Sequence, residues 1–131
     1  MKTIIKIVLL ALIISLLLIS TKVIAEAPKH IEEPPNIKVY AFEKVLNRWG
    51  SEQWDSFDKL IIKESKWDSE SQNPNSSAYG IGQFLNSTWN TVGCEKTKDV
   101  YKQIDCTINY VELNYKTPQK ALQFHLKNNW Y

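Results

Sequence analysis

A carboxylate stands on the apolar side of a helix in the segment Trp54-Asp55-Ser56-Phe57-Asp58-Lys59-Leu60-Ile61-Ile62-Lys63-Glu64. At about 100° per residue, Trp54, Phe57, Leu60 and Ile61 fall in one stripe, and Glu64 falls inside it. A stripe of that kind has to be covered by other elements, so the chain needs a core with an acid at its edge. Desolvation disfavours the charged form of a carboxyl group and raises its pKa. A carboxylic acid that keeps its proton near neutral pH can donate it in a reaction. The segment therefore constrains chemistry and fold together.

Other elements follow from periodicity and turn chemistry. A helix is expected from about Lys38 to Trp49, with Val39, Phe42, Val45, Leu46 and Trp49 at helical spacing. Gly50 suits its end in a left-handed conformation, and Ser51 suits the cap of the helix that carries Glu64, with Glu52 in its first turn. That helix is expected to stop around Ser65 to Trp67. The almost wholly polar run from Asp68 to Ser77 reads as a loop, and Gly80 and Gly82 permit a close backbone course after it. A short helix is expected at Ser87-Thr88-Trp89. Val100, Ile104, Ile108 and Val111 mark a longer one ending near Tyr115. Thr117-Pro118 opens the last, with Ala121 and Phe124 inward. No alternating strand pattern stands out, so the expectation is a mainly α domain over residues 37–131.

The beginning of the chain reads differently. Lys2 and Lys6 precede an apolar run from Ile7 to Ile19 broken by Ser15, and Val23-Ile24-Ala25 offers a small-residue cleavage site. Residues 1–25 thus have the order of a secretory signal peptide, with an N-terminal membrane anchor as the alternative. Residues 26–36, rich in proline and charge, read as a linker. Setting aside Lys2, Lys6 and Lys22 leaves 13 basic residues against 14 acidic ones. A chain so balanced, with no basic cluster, lacks the electrostatic footprint of a nucleic-acid partner.

Cys94 and Cys106 are the two cysteines. In an exported chain an even count favours a disulfide over a metal site. His30 and His125 sit in unrelated contexts, His125 reading as an ordinary exposed or partly packed residue, and no metal or other cofactor is expected.

Glu64-Ser65-Lys66-Trp67, then Asn73-Pro74-Asn75-Ser76-Ser77-Ala78-Tyr79-Gly80-Ile81-Gly82-Gln83-Phe84, then Ser87-Thr88-Trp89, resemble in order and spacing the signature of lytic transglycosylases with the lysozyme-like fold. The resemblance covers roughly Trp49 to Tyr131. It implies a small lysozyme-like helical domain with a polar loop beside the substrate cleft. It also implies cleavage of the bond between N-acetylmuramic acid and N-acetylglucosamine in peptidoglycan, with the muramyl residue's own hydroxyl as nucleophile. Glu64 matches the family's acid/base and Gln83 its sugar-contacting glutamine. Tyr110 lies near where the family places a tyrosine that approaches the acid. Ser65 either orients the glutamate or packs at the helix end, and Tyr79 either lines the cleft or packs beside the glycines. The family's alanine-tyrosine-asparagine motif is missing. Here the chain has Ala121-Leu122-Gln123-Phe124-His125, with Phe124 in place of the aromatic, and then Asn129-Trp130-Tyr131, whose rings either stack on sugar or pack inward. Gly82 stands where the family commonly has methionine.

Asp68 and Glu70, in the polar loop, read as solvated, so no second catalytic carboxylate is visible. That favours the transglycosylase over a lysozyme-type hydrolase using two acids, and a non-catalytic glycan-binding module is the alternative from another class. The partner implied is peptidoglycan, the expected location the periplasm, cell envelope or exterior, and the expected state a monomer. The small size also suits local wall opening for a secretion or conjugation machine.

Overall fold

The computed structural model describes residue 1 and residues 36–131, and the expected leader and most of the linker lie outside the described residues. The first helix, α1 (Ile37–Trp49), starts where the linker was expected to finish: Asn36 caps it by accepting from the Lys38 N–H at 2.9 Å. Its covered row is Ile37, Ala41 and Val45, an i, i+4 spacing in which the small Ala41 lets another helix approach. Val39 and Leu46, expected inward, are instead 50% and 42% exposed. The polar ends of α1 are also engaged. Tyr40 donates to Asp105 at 2.9 Å, and Arg48 reaches Asn109 and Glu112.

Gly50 closes α1 through its N–H to the Leu46 carbonyl, with φ 97° and ψ 162°, extended and positive rather than left-handed helical. A Cβ there would collide with the Glu52 carboxylate. Ser51 does not cap the next helix. It begins a single 3-10 turn, Ser51–Gln53, that feeds α2 (Trp54–Glu64) without a side-chain cap. Gln53 accepts instead from the N–H of Gln119 at the start of the last helix. Phe57, Leu60 and Ile61 are fully buried on α2, as the stripe requires.

After Glu64 the chain turns abruptly. Lys66 and Trp67 both have positive φ, at 54° and 66°, a costly conformation for residues with side chains. The cost is offset by anchoring of the Trp67 indole, which is 8% exposed, lies 6.0 Å from the Trp54 ring, and donates to Asp58 at 2.7 Å. The polar loop then runs to Leu85 with two isolated bridges, Gln72 to Tyr79 and Tyr79 to Phe84. A six-residue helix, α3 (Asn86–Thr91), seats Trp89 against Phe84 in a small second core with Val92 and Cys106.

The longest described helix, α4 (Val100–Tyr115), is capped by Asp99, which accepts from the N–H groups of Tyr101 and Lys102. It buries Ile104, Ile108 and Val111, and it carries Cys106, bonded to Cys94. Closing a loop of this length contributes about 2–3 kcal/mol. The last helix, α5 (Pro118–Asn128), has Thr117 as its cap and Pro118 in its first turn. It packs most extensively on α2, with Ala121 fully buried. The described chain is mainly α-helical, and none of its helices is long and apolar enough to cross a membrane.

Candidate active site

Glu64 occupies the last turn of α2, and because the chain reverses immediately after it, the carboxyl group faces a cavity rather than the next turn of helix. The cavity has a volume of about 540 Å³. One side is made by Glu64 and by Tyr110 of α4. The other is the loop from Asn73 through Gln83 to Leu85, and Asn129, Trp130 and Tyr131 complete the rim. Among the described residues that line it, Glu64 is the sole acidic side chain. Asp68 is exposed and accepts from the Glu70 N–H in a local turn, so it stays in water.

The Glu64 side chain is 13% exposed, and burial pushes its pKa from the ordinary 4.5 up to about 7. No cation offsets that desolvation. His125, on α5, places Nε2 2.9 Å from Oε1 of Glu64 and is itself 12% exposed. This residue was expected to be an ordinary histidine; it is instead a direct polar neighbour of the acid. The separation is that of an ion pair, yet the shifts run the other way. Glu64 is raised and His125 is lowered, by burial first and by the Lys63 charge second. A carboxylate facing an imidazolium would show the reverse, so burial favours the neutral form of each group. Nor does the ring nitrogen point along the contact: Oε1 is buried without an aligned partner.

Gln83, with φ 50°, donates both amide protons to backbone carbonyls, Ser71 at 3.0 Å and Gly80 at 2.9 Å. Its amide nitrogen thus closes the loop, and its carbonyl oxygen is the end left to meet a ligand. Tyr110 lines the cavity, but its hydroxyl donates to the backbone carbonyl of Tyr131 at 3.1 Å, not to the acid. Ser65 is buried with its hydroxyl unpartnered, and it makes no bond to the Glu64 carboxyl. Tyr79 and Phe124 do not line the cavity. Tyr79 packs on the second core with Lys96 over its ring, and Phe124 lies between Tyr115 and Trp130, at 5.3 and 4.9 Å. At Gly82 the direction a Cβ would take is filled by Thr107 Oγ1 at 2.6 Å and by the Phe84 ring, so a methionine has no room there. Cys94 and Cys106 sit away from the acid, in a separate depression behind the loop.

Sequence reasoning missed two residues that matter. His125 stands four positions after the buried Ala121, and this helical spacing was the available signal. Gln103, fully buried on α4, accepts from the Ile81 N–H at 2.9 Å and donates to the carbonyls of Ser69 and Thr97. Its signal was a polar residue beside an apolar stripe, opposite the glycines it would contact. A groove between α1 and α4 also carries charges, but Lys44 is 3.3 Å from Asp105 and Arg48 is bound to Glu112, so these are spent on one another.

No protein-family model matches the chain, and no curated protein or solved structure matches it either. The fold and site by themselves define a mainly α domain with one shielded carboxylic acid opening on a polar and aromatic cavity.

Proposed function

We propose that this protein is a peptidoglycan lytic transglycosylase with a lysozyme-like fold, in which Glu64 serves as both acid and base. The observation that carries the reading is Glu64 itself: the sole acidic side chain lining the cavity, raised by burial to about 7 so that a substantial fraction keeps its proton near neutrality. Breaking a glycosidic bond needs a proton on the leaving oxygen. Glu64 supplies it as the bond between the muramyl C1 and that oxygen breaks. The resulting carboxylate then takes the proton of the muramyl primary hydroxyl as its oxygen bonds to C1, and an anhydro ring closes. The acid is restored with no net proton gained or lost. Because the nucleophile belongs to the substrate, positioning replaces a second carboxylate.

Asn73, Asn129, Thr88 and the Gln83 carbonyl offer hydrogen-bonding groups to sugar, and Trp130, 60% exposed, offers an aromatic face. The disulfide suits a chain working outside the reducing cytoplasm. Purified sacculi provide the test. Glu64→Gln keeps the shape and removes the titratable proton, and it is expected to slow fragment release at least about a hundredfold. Release at the unaltered rate refutes the reading. Anhydro-muramyl ends in the fragments distinguish transglycosylation from hydrolysis, which leaves reducing ends. Binding of sacculi without any release would instead assign a glycan-binding module.

A further inference from the structure

We propose that His125 is the positioning partner of Glu64, its Nε2 accepting the hydrogen bond of the carboxylic acid so that one proton is held between Oε1 and Nε2 when no sugar is bound. The inference rests on Glu64 being the acid, and it goes further by assigning a role to a residue on a different helix.

Oε1 of Glu64 is buried, and the other side chains around it are committed elsewhere. The Tyr110 hydroxyl goes to the Tyr131 carbonyl and the Gln83 amide protons go to the loop backbone. His125 has a nitrogen at 2.9 Å. In the neutral ring one nitrogen is protonated and the other is an acceptor, and the pairing requires Nδ1 to carry the proton and Nε2 to present the lone pair. A ring nitrogen and a buried carboxyl oxygen this close repel unless a proton lies between them. The charge that bears on His125 is Lys63, on α2, and it disfavours the imidazolium. The groups facing Glu64 are Tyr110 and Tyr115 of α4 and Tyr131, all phenols that stay neutral across the working range. The proton therefore belongs on Glu64. Alignment needs a turn of the imidazole ring, and catalytic hydrogen bonds commonly tighten only once a ligand is seated.

Held this way, the acid has one rotamer and a proton that transfers to a sugar oxygen when that oxygen displaces Nε2 as acceptor. His125 keeps the same charge throughout, and the atoms balance without it.

The test has one arm that uses no substrate. Nitrogen-15 NMR of the histidine rings in the intact protein is expected to show His125 with its proton on Nδ1 near pH 7. Carbon-13 titration of the Glu64 carboxyl is expected to move to lower pH in His125→Gln, because the repulsive lone pair is gone and an amide donor now favours the anion. A proton on Nε2, or a Glu64 midpoint unchanged in the variant, overturns the proposal. If His125→Gln does not fold by circular dichroism, the tautomer in the unaltered protein still decides. The second arm is the pH profile of sacculus digestion. In His125→Gln the ratio of rates at pH 8 to pH 6 is expected to fall at least about threefold below that of the unaltered protein, because the acid form is lost earlier. An unchanged profile also overturns the proposal. Absence of digestion by the unaltered protein, with both NMR results as expected, fails the transglycosylase reading and leaves the pairing standing.

Discussion

The two walls of the cavity are held by different mixtures of force. The helical wall, with Glu64 on α2 and Tyr110 on α4, rests on fully buried apolar side chains such as Phe57, Leu60, Ile104 and Val111. The loop wall, from Asn73 to Leu85, sends Ile81 into that same core and is fixed in addition by directed hydrogen bonds. Gln103 supports it from α4, Gln83 closes it from within, and the Gly80 N–H reaches the Ser71 carbonyl at 2.9 Å. Apolar burial is non-directional and tolerates small shifts, whereas a hydrogen bond fixes an atom's place but contributes little net free energy. The acid thus stands on the strong wall and faces the wall that is positioned most finely.

Three substitutions test that contrast. Phe57→Ala removes a fully buried ring at the base of the helical wall and is expected to cost about 3–5 kcal/mol, read from denaturant unfolding. Both walls should loosen together, because Ile81 of the loop packs in the same core as Phe57, and the loop otherwise has only Phe84, Trp89 and their neighbours. If amide exchange in the loop stays unchanged while α2 opens, the helical wall is not the frame.

Gln103→Leu should do the reverse. It leaves the Ile81 N–H and the Ser69 and Thr97 carbonyls without their partner, at an expected cost of about 3 kcal/mol. The Ile81 amide is expected to lose protection well before those of α2. Equal loss in the two places would show that the walls are not separately held.

The third change concerns Glu64 and has the smallest effect. Its folded pKa, about 7, lies above the ordinary 4.5, so the folded protein retains a proton that the unfolded chain releases. Stability contributed by that proton is present at low pH and is lost as pH rises from 4.5 through 7, by about 2–3 kcal/mol when the loss is complete. Glu64→Gln removes this penalty. The variant should match the unaltered protein at pH 4 and exceed it in thermal unfolding at pH 8. A gain that does not grow with pH would mean the carboxyl is not held in its acid form.

The same contrast decides what the sequence revealed. The helical wall was legible because apolar residues repeat every three to four positions: the stripe on α2, the row Val100, Ile104, Ile108 and Val111 on α4, and Thr117-Pro118 at the start of α5. On α1 the period was right and Val45 and Trp49 turn to the core as expected, but Val39 and Leu46 do not, and Ala41 takes an inward place instead. The loop wall was legible only as a loop. Nothing local announces that Gln103 will reach residues more than 20 positions away, and a buried glutamine looks in sequence like an exposed one. His125 escaped for a related reason. Its significance depends on α5 lying against α2, and a histidine pattern along one helix carries no record of which carboxyl it will face. The tight turn at Lys66 and Trp67 was equally hidden, since neither residue is one that left-handed backbone favours.

Gly80 and Gly82 lie against α4 closely enough that side chains four residues apart on it, Gln103 and Thr107, fill the places where their Cβ atoms would stand. The spacing between loop and helix is therefore set by the absence of two methyl groups. The width of the mouth opposite Glu64 is written in hydrogens on two α-carbons, and the rigid rod behind them acts as the gauge against which it is cut.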